Sequence, residues 1–545
     1  MKNKKFSLLT IFPIILVIAL SIGIVANLFD SANPNSISIV LFISLIMLLT
    51  WFFTKDKSFL TENSIRIITY STILLILLIQ IIVIAYFKAS VYHDPFRVFS
   101  QAELLSRNSF DWSRFTYFYR YPNNVSLAFL MSLWLRVSNI FSISTNISLN
   151  ILSIILIDSF ILMMLKTVRK KSKNDALFIF LTLFFLIGPF SYSYYLQVFY
   201  SDLPSMYILL LTFIVLDNWN TLNKIRRYLY GILLFFAILI GQLIKPNLVV
   251  FVVAIAIVLL FEFKNNKTLT RQIMIPLSII CIGIFAAFPV GSEIKTITHF
   301  SNNARYEMPS SNWIWMSYKP TGHGTYNGAD IKKMNSLPDE KARQKYFAPH
   351  LIERIKKLGF SGVIKLWVVK AGILLDTRTI PKSYTGGFIE VPHIYAKFQD
   401  FVSILESMFY RASFVFIYMI SIMTLLTSLK TKEYLNSPIN ILAIVLAVGY
   451  IAFHTLVWET ESRYGQVLFP ILIFMDTHLS LSQTIKIMNK NVIVMWSTCG
   501  LIIVSLFSFF KPLGVSIPVF LVKRQLLLQH RAANYQRNTS RNSIN

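Results

Sequence analysis

The chain is punctuated by apolar runs of about 20 residues, each long enough to cross the hydrocarbon of a bilayer as a helix, and that pattern leaves few folds open. A helix pairs all of its own backbone N–H and C=O groups, which lipid cannot do for it. Repeated runs of this length spell an all-α polytopic membrane protein. They fall at 6–28, 37–54, 65–87, 147–165, 176–191, 203–217, 228–245, 247–262, 272–290, 408–428, 438–458, 464–480 and 491–510. By length they predict about thirteen crossings, with short ones such as 203–217 tilted, broken or partly embedded. A hydrophobic share of 55% fits that class and no ordinary soluble domain.

The 52 Lys and Arg outnumber the 25 Asp and Glu, for a net charge of +27. In a soluble protein such a balance points to nucleic acid. Here basic residues gather in loops and set orientation, so the expected partner is the bilayer and no nucleic acid. The run V-K-R-Q-L-L-L-Q-H-R from Val522 opens a basic tail, 511–545, suited to anionic head groups. Cys281 and Cys499 lie inside apolar runs with neither disulfide nor metal spacing. The start M-K-N-K-K before a long apolar run reads as a retained first helix with its N-terminus inside.

From that start, three crossings place residues 88–122 outside. The next apolar stretch, from Tyr121 to Phe141, must then not cross. If it did, the basic cluster from Lys166 to Lys173 and every later basic loop would be inverted. Read as an interfacial helix with Trp134 and Arg136, it puts the loops Lys166–Lys173, Lys224–Arg227, Lys264–Arg271, Lys430–Lys432 and Lys486–Lys490 on the cytoplasmic side. The outer face then receives 88–146, the turns at Pro189–Pro204, Pro246 and Glu459–Arg463, and a long region, 291–407.

That face collects the chemically unusual residues. V-Y-H-D-P-F-R-V-F-S-Q-A-E-L-L, residues 91 to 105, begins where the third run ends and offers His93, Asp94 and Glu103. Y-S-D-L-P offers Asp202, Q-L-I-K-P-N offers Lys245, and W-E-T-E-S-R-Y offers Glu459, Glu461, Arg463 and Tyr464. Asp111 and Arg120 lie in the same first loop. Carboxylates and cations on one side suit transfer of a group from a phosphate leaving group: an acid removes a proton from an acceptor hydroxyl, and cations hold the departing phosphate. Phosphate needs charge stabilisation more than protonation, so Arg, Lys and Tyr donors matter more than a general acid.

In motif order from residue 65 to about 480, the chain resembles the GT-C membrane glycosyltransferases. It is similar to protein O-mannosyltransferases and aminoarabinose transferases, and in particular to their relatives in Gram-positive bacteria. The resemblance rests on the acid ending an early helix, the Y-P-N-N segment opening an interfacial helix, the outer acid of Y-S-D-L-P, the K-P turn and the late R-Y followed by Pro. It implies Asp94 as catalytic base, Asp202 as second acid, and Lys245 and Arg463 with Tyr464 as contacts for a polyprenyl-phosphate-linked sugar. His93, Glu103 and Glu461 are supporting residues. A carbohydrate, lipid or protein outside the cell would be the acceptor, at the plasma membrane of a Gram-positive bacterium.

Three departures from the pattern stand out. The usual adjacent acidic pair is here His93-Asp94, so a second acid must come from Glu103 or Asp202 or be unnecessary. Two runs precede the one that delivers Asp94. No D-x-D triplet occurs, which favours a mechanism without metal and with no cofactor. Each residue also has a plainer reading: Asp94 as a turn residue before Pro95, Asp202 as a cap for the next helix, Lys245 as a snorkelling lysine, and Arg463 as an interfacial anchor paired with Glu459 or Glu461. Asp158, inside an apolar run, must face the bundle.

The domain reading is two extra N-terminal helices (1–64), a core (65–290) carrying the first outer loop (88–146), an outer module (291–407), C-terminal crossings (408–510) and the tail. In the module, Trp313, Trp315, Tyr318 and Tyr326 suit stacking on sugar rings or a membrane-interface belt, the belt being the safer reading. Residues 339–358 read as an amphipathic helix, and 362–375 as an apolar piece too short to span. Two rival functions stay open: a polysaccharide polymerase or ligase using a pyrophosphate-linked donor, and a lipid-linked sugar transporter or flippase.

Overall fold

The computed structural model describes residues 8–29, 35–54, 58–172, 175–265 and 267–479; the run 491–510, the Lys486–Lys490 loop, Cys499 and the tail lie outside the described residues. Helices follow the apolar runs in order. The first three are α1 (Ile11–Leu28), α2 (Asn35–Thr54) and α3 (Glu62–Tyr86). Next come β1 (Lys88–Val91), α4 (His93–Ser106), α5 (Tyr117–Arg120) and α6 (Asn124–Ile140). The middle of the bundle is α7 (Thr145–Ser172), α8 (Asp175–Ile187), α9 (Tyr194–Gln197), α10 (Asp202–Asn218), α11 (Lys224–Ile244), α12 (Val250–Asn265) and α13 (Lys267–Ile297). The module contributes α14 (Ser310–Ser317), α15 (Gly328–Asn335), α16 (Glu340–Leu375) and β2 (Thr385–Glu390). The chain then re-enters the bundle as α17 (His393–Thr431), α18 (Pro438–Ala452) and α19 (Leu468–His478).

Among the described residues nine helices are long and apolar enough to cross a membrane, or ten if the bent pair at 175–197 is one span, against the twelve runs that precede residue 491. The shortfall has local causes. At Gly188–Pro189 the 176–191 run bends by 53°, because Pro189 cannot continue the ladder and the Gly188 backbone sits where a Cβ would lie 2.3 Å from Phe184 O. α10, α12 and α19 are shorter than a full span. One member of the nine is unexpected. The pieces 339–358 and 362–375 form two helices that meet at a sharp turn at Gly359 (φ 64, ψ 176) and together make up α16, in a backbone conformation open essentially to glycine.

The second half of α16 packs on the end of α1, where a Cβ on Gly23 would lie 2.9 Å from Leu375 Cβ. Asn27 then bonds across: its Nδ2 donates to Leu375 O (2.8 Å), and its Oδ1 accepts from Thr377 N (3.0 Å) and Thr377 Oγ1 (2.7 Å). Arg411 of α17 donates to Asn27 O and Leu28 O. The two N-terminal helices therefore brace the end of α16.

Among the described residues the helical architecture has one exception, an antiparallel ribbon of β1 with β2. It ties the exit of α3 to the end of the module. α6 lies flat against α4 and exposes Leu133, Val137 and Ile140 on its other side. Arg136 Nη2 donates to Leu105 O (3.2 Å), and Trp134 Nε1 to Ser148 O (2.9 Å). At 17 residues it is not among the nine, in keeping with an interfacial helix.

The far end of the bundle gathers the basic turns. Arg169 pairs with Asp175 (2.5 Å), whose other oxygen accepts from Phe59 N and Leu60 N, while Lys171 and His478 pair with Asp217. Thr10 reaches Tyr434 (3.0 Å). Asp158 faces the bundle as expected and accepts from Gln80 Nε2 (3.0 Å). Between the ends, the rings of Phe160, Phe184, Phe185, Phe190, Phe414 and Phe469 interlock. With no hydrophobic drive between helices in lipid, such dispersion contacts carry the packing.

Candidate functional site

Asp94 owes its position to the ribbon. Tyr92 N donates to Tyr384 O (2.8 Å), extending the pairing past β1. His93 then takes a left-handed backbone (φ 57), and α4 begins. Asp94 thus sits in the first turn of α4, where the helix dipole favours an anion, rather than in a turn that merely ends α3. One turn on, Arg97 Nη1 donates to Asp94 Oδ1 (2.9 Å). The carboxylate is 26% exposed. Burial raises its affinity for a proton above the usual aspartate range, and the charges of Arg97 and Arg463 offset that only in part. His93 stands at the rim, where partial loss of solvation and then Arg97 lower its imidazole to about 4. It is therefore neutral at neutral pH.

The second part of the cluster is centred on Asp202, the first residue of α10. It does not cap that helix. Its Oδ1 accepts from Lys245 Nζ (2.7 Å), and its Oδ2 from Tyr194 OH (2.6 Å) and Arg463 Nη1 (3.3 Å). Lys245 is delivered because Pro246 ends α11, and it is 7% exposed, which rules out snorkelling. Arg463 lies in the turn Ser462–Val467 and also donates from Nε to Glu461 Oε2 (2.7 Å). That turn can press on α16 because residue 465 is glycine: a Cβ there would lie 1.9 Å from Leu374 O.

Tyrosines join the two parts. The Arg463 guanidinium lies over the rings of Tyr464 (4.5 Å), Tyr384 (4.8 Å) and Tyr200 (5.4 Å). Tyr200 OH is 3.4 Å from Tyr117 OH, and Arg97 lies over the Tyr117 ring at 5.4 Å. A continuous path therefore runs from Asp94 through Arg97, Tyr117, Tyr200 and Arg463 to Asp202 and Lys245. Arg463 also acts directly on the charge of Asp94. Asp94, Asp202, Lys245, Arg463, Tyr464, Glu461 and His93 all come to one end of the bundle.

Glu103 does not join them. It pairs with Arg107 (2.7 Å) farther along α4, in solvent, and so is no second acid. Asp202 is a poor proton acceptor for another reason, since three donors already fill its two oxygens; the geometry makes it a clamp that fixes two cations. The aromatic expectation for the module also changes. Trp313, Trp315 and Tyr318 are buried, Trp313 stacked on Tyr121 at 5.0 Å, Trp315 under Arg354 at 3.5 Å and Tyr318 bonded to Leu456 O, so they form neither a belt nor a sugar platform. Only Tyr326 of the four is exposed.

Several members escape the sequence reading. Arg97 is signalled by its i, i+3 spacing from Asp94 on a helix. Tyr384 has no local signal, because the ribbon alone brings it in. Glu459, read as a possible partner for Arg463, is instead buried with Oε2 unbonded, its carboxyl pushed up to about 8 by burial and then by Glu461. Among the described residues no three His, Cys, Asp or Glu side chains stand together as a ligand set for a metal ion.

Crossing helices and a buried ionisable cluster at one end define a polytopic integral membrane protein. A family model described as a conserved hypothetical integral membrane protein matches residues 4–485, and the chain belongs to that family. No curated protein and no solved structure matches it.

Proposed function

We propose that the protein is a GT-C-type membrane glycosyltransferase that moves a sugar from a polyprenyl phosphate to a hydroxyl of an extracytoplasmic acceptor. The observation that carries this reading is the meeting of Asp94, a carboxylate with solvent access, with a set of fixed cations at one end of the bundle. The basic turns lie at the opposite end, so the positive-inside rule assigns the Asp94 end to the outside of a bacterial plasma membrane.

In this reading Asp94 takes the proton from the acceptor hydroxyl as its oxygen bonds to the sugar's anomeric carbon. The bond from that carbon to the phosphate oxygen breaks, and the electron pair leaves with the polyprenyl phosphate. Attack opposite the leaving group inverts the anomeric centre. Lys245 and Arg463, held in place by Asp202, stabilise the charge that grows on the phosphate.

The test uses purified protein in liposomes supplied in turn with a radiolabelled polyprenyl-phosphate sugar, a nucleotide sugar and a pyrophosphate-linked oligosaccharide. Release or transfer of sugar from the first donor alone supports the proposal. Consumption of the third donor alone points to a polymerase or ligase. Translocation of labelled lipid without breakage of the sugar bond would point to a flippase.

A further inference from the structure

Five cations stand around Asp94 and Glu459, and four are already engaged. Arg97 is bonded to Asp94, Lys245 to Asp202, Arg463 to Asp202 and Glu461, and Lys370 Nζ donates to Trp458 O (2.7 Å). The fifth is Arg120, the last residue of α5. Its Nε is buried without a hydrogen-bond partner, and among the described residues no carboxylate pairs with it.

Arg120 nonetheless belongs to the cluster, because its charge acts on Asp94, Tyr121 and Tyr326. Glu459 acts on the same two tyrosines, and its Oε2 is also unbonded. Arg120 Nε and Glu459 Oε2 therefore stand unbonded near common neighbours, while Glu459 Oε1 accepts from Tyr464 OH (3.4 Å). Tyr326, 44% exposed, marks where this ground opens outward. The buried Nε of Arg120 lacks the acceptor that a desolvated N–H needs, while the half-buried side chain leaves its Nη groups open to a ligand. The planar fork of Arg matches phosphate oxygens in pairs.

We propose that Arg120 is the phosphate anchor of the site, its guanidinium taking the non-bridging oxygens of a polyprenyl phosphodiester beside the unbonded Oε2 of Glu459. This rests on the donor class argued above and narrows it to a residue. Lys245 and Arg463 remain behind the phosphate as the cations that meet the departing charge. Arg120 holds the donor from the outer side, next to Asp94.

The probes are farnesyl phosphate, farnesol and inorganic phosphate, titrated against detergent-solubilised full-length protein and its Arg120→Gln, Arg120→Lys and Glu459→Gln variants by calorimetry. Wild-type protein is expected to bind farnesyl phosphate well above the other two. Arg120→Gln should weaken that binding by about tenfold or more, with Arg120→Lys in between because it restores the charge without the fork. Glu459→Gln should weaken it less. Arg120 has no partner to lose, so the melting temperature of Arg120→Gln should match the wild type, which separates a binding defect from misfolding. Equal affinity in Arg120→Gln would overturn the anchor and leave the donor class standing. Inorganic phosphate binding as tightly as farnesyl phosphate would overturn the lipid assignment. Wild-type protein that binds no prenyl phosphate would overturn the donor reading and the anchor together.

Discussion

Asp202 and Arg463, 261 positions apart in the chain, share a buried contact of 3.3 Å on a carboxylate that also holds Lys245. One acid thereby locks the start of α10, the end of α11 and the turn before α19 into a single junction. Removing one partner of a buried ion pair leaves the other charge stranded, at about 3–5 kcal/mol. Asp202→Asn is therefore expected to lower the melting temperature in detergent strongly. The double variant Asp202→Asn/Lys245→Met should recover part of the loss, because the stranded ammonium is gone. A double variant with simply additive losses would show that the two residues do not act as a unit.

The pH profile follows from two carboxyls. Asp94 must be ionised to accept a proton, and burial raises its affinity for protons, so activity should fall on acidification at a pH above the ordinary aspartate range. Glu459, pushed up to about 8, keeps its proton below that pH and loses it above. Its ionisation would add a negative charge beside the donor phosphate, so activity should fall as pH rises past about 8. Rate against pH for wild type and Glu459→Gln checks this: the variant should lose the alkaline limb and keep the acid one.

Gly465 reads out how the Arg463 turn is supported. A methyl at this position meets Leu374 O at 1.9 Å and must push the turn away from α16. Overpacking of this kind costs about 1–3 kcal/mol. Gly465→Ala should lose stability and donor affinity together, seen in melting and in titration with farnesyl phosphate. Unchanged values for both would mean that the turn shifts freely.

The N-terminal helices have an equally specific test. Asn27 satisfies Leu375 O and both polar groups of Thr377 from a buried position. Asn27→Ala leaves the N–H and hydroxyl of Thr377 unpaired at about 1–3 kcal/mol, while Leu375 O keeps its bond from Tyr418 OH (3.1 Å). The variant should melt earlier and show weaker activity, although residue 27 lies outside the charged cluster.

The crossing pattern and the shared side of the charged motifs are legible in the sequence because apolar length and basic loops are local quantities. The same reasoning singles out the stretch that becomes α6, which at 17 residues is not among the nine candidate spans. Span count is less legible, since the bend at Gly188–Pro189 involves packing against Phe184, and the turn at Gly359, where no neighbour crowds the backbone, sets two helices end to end. Site membership divides in the same way. Asp94, Asp202, Lys245 and Arg463 sit at helix ends that apolar runs delimit. Tyr384 arrives through a strand pairing of 88–91 with 385–390, and the solvent-facing turn of Glu103 on α4 depends on how that helix lies against α6. No local pattern encodes either.

The central claim is that Asp94 takes the acceptor's proton at this junction. Single-turnover transfer from a labelled polyprenyl-phosphate sugar, measured in liposomes for wild type and Asp94→Asn, tests it most directly. Loss of a general base costs about 10²–10⁴-fold in rate, so the account expects Asp94→Asn to insert and melt normally, bind donor, and transfer sugar at least a hundredfold more slowly. Transfer at the wild-type rate by Asp94→Asn would contradict it.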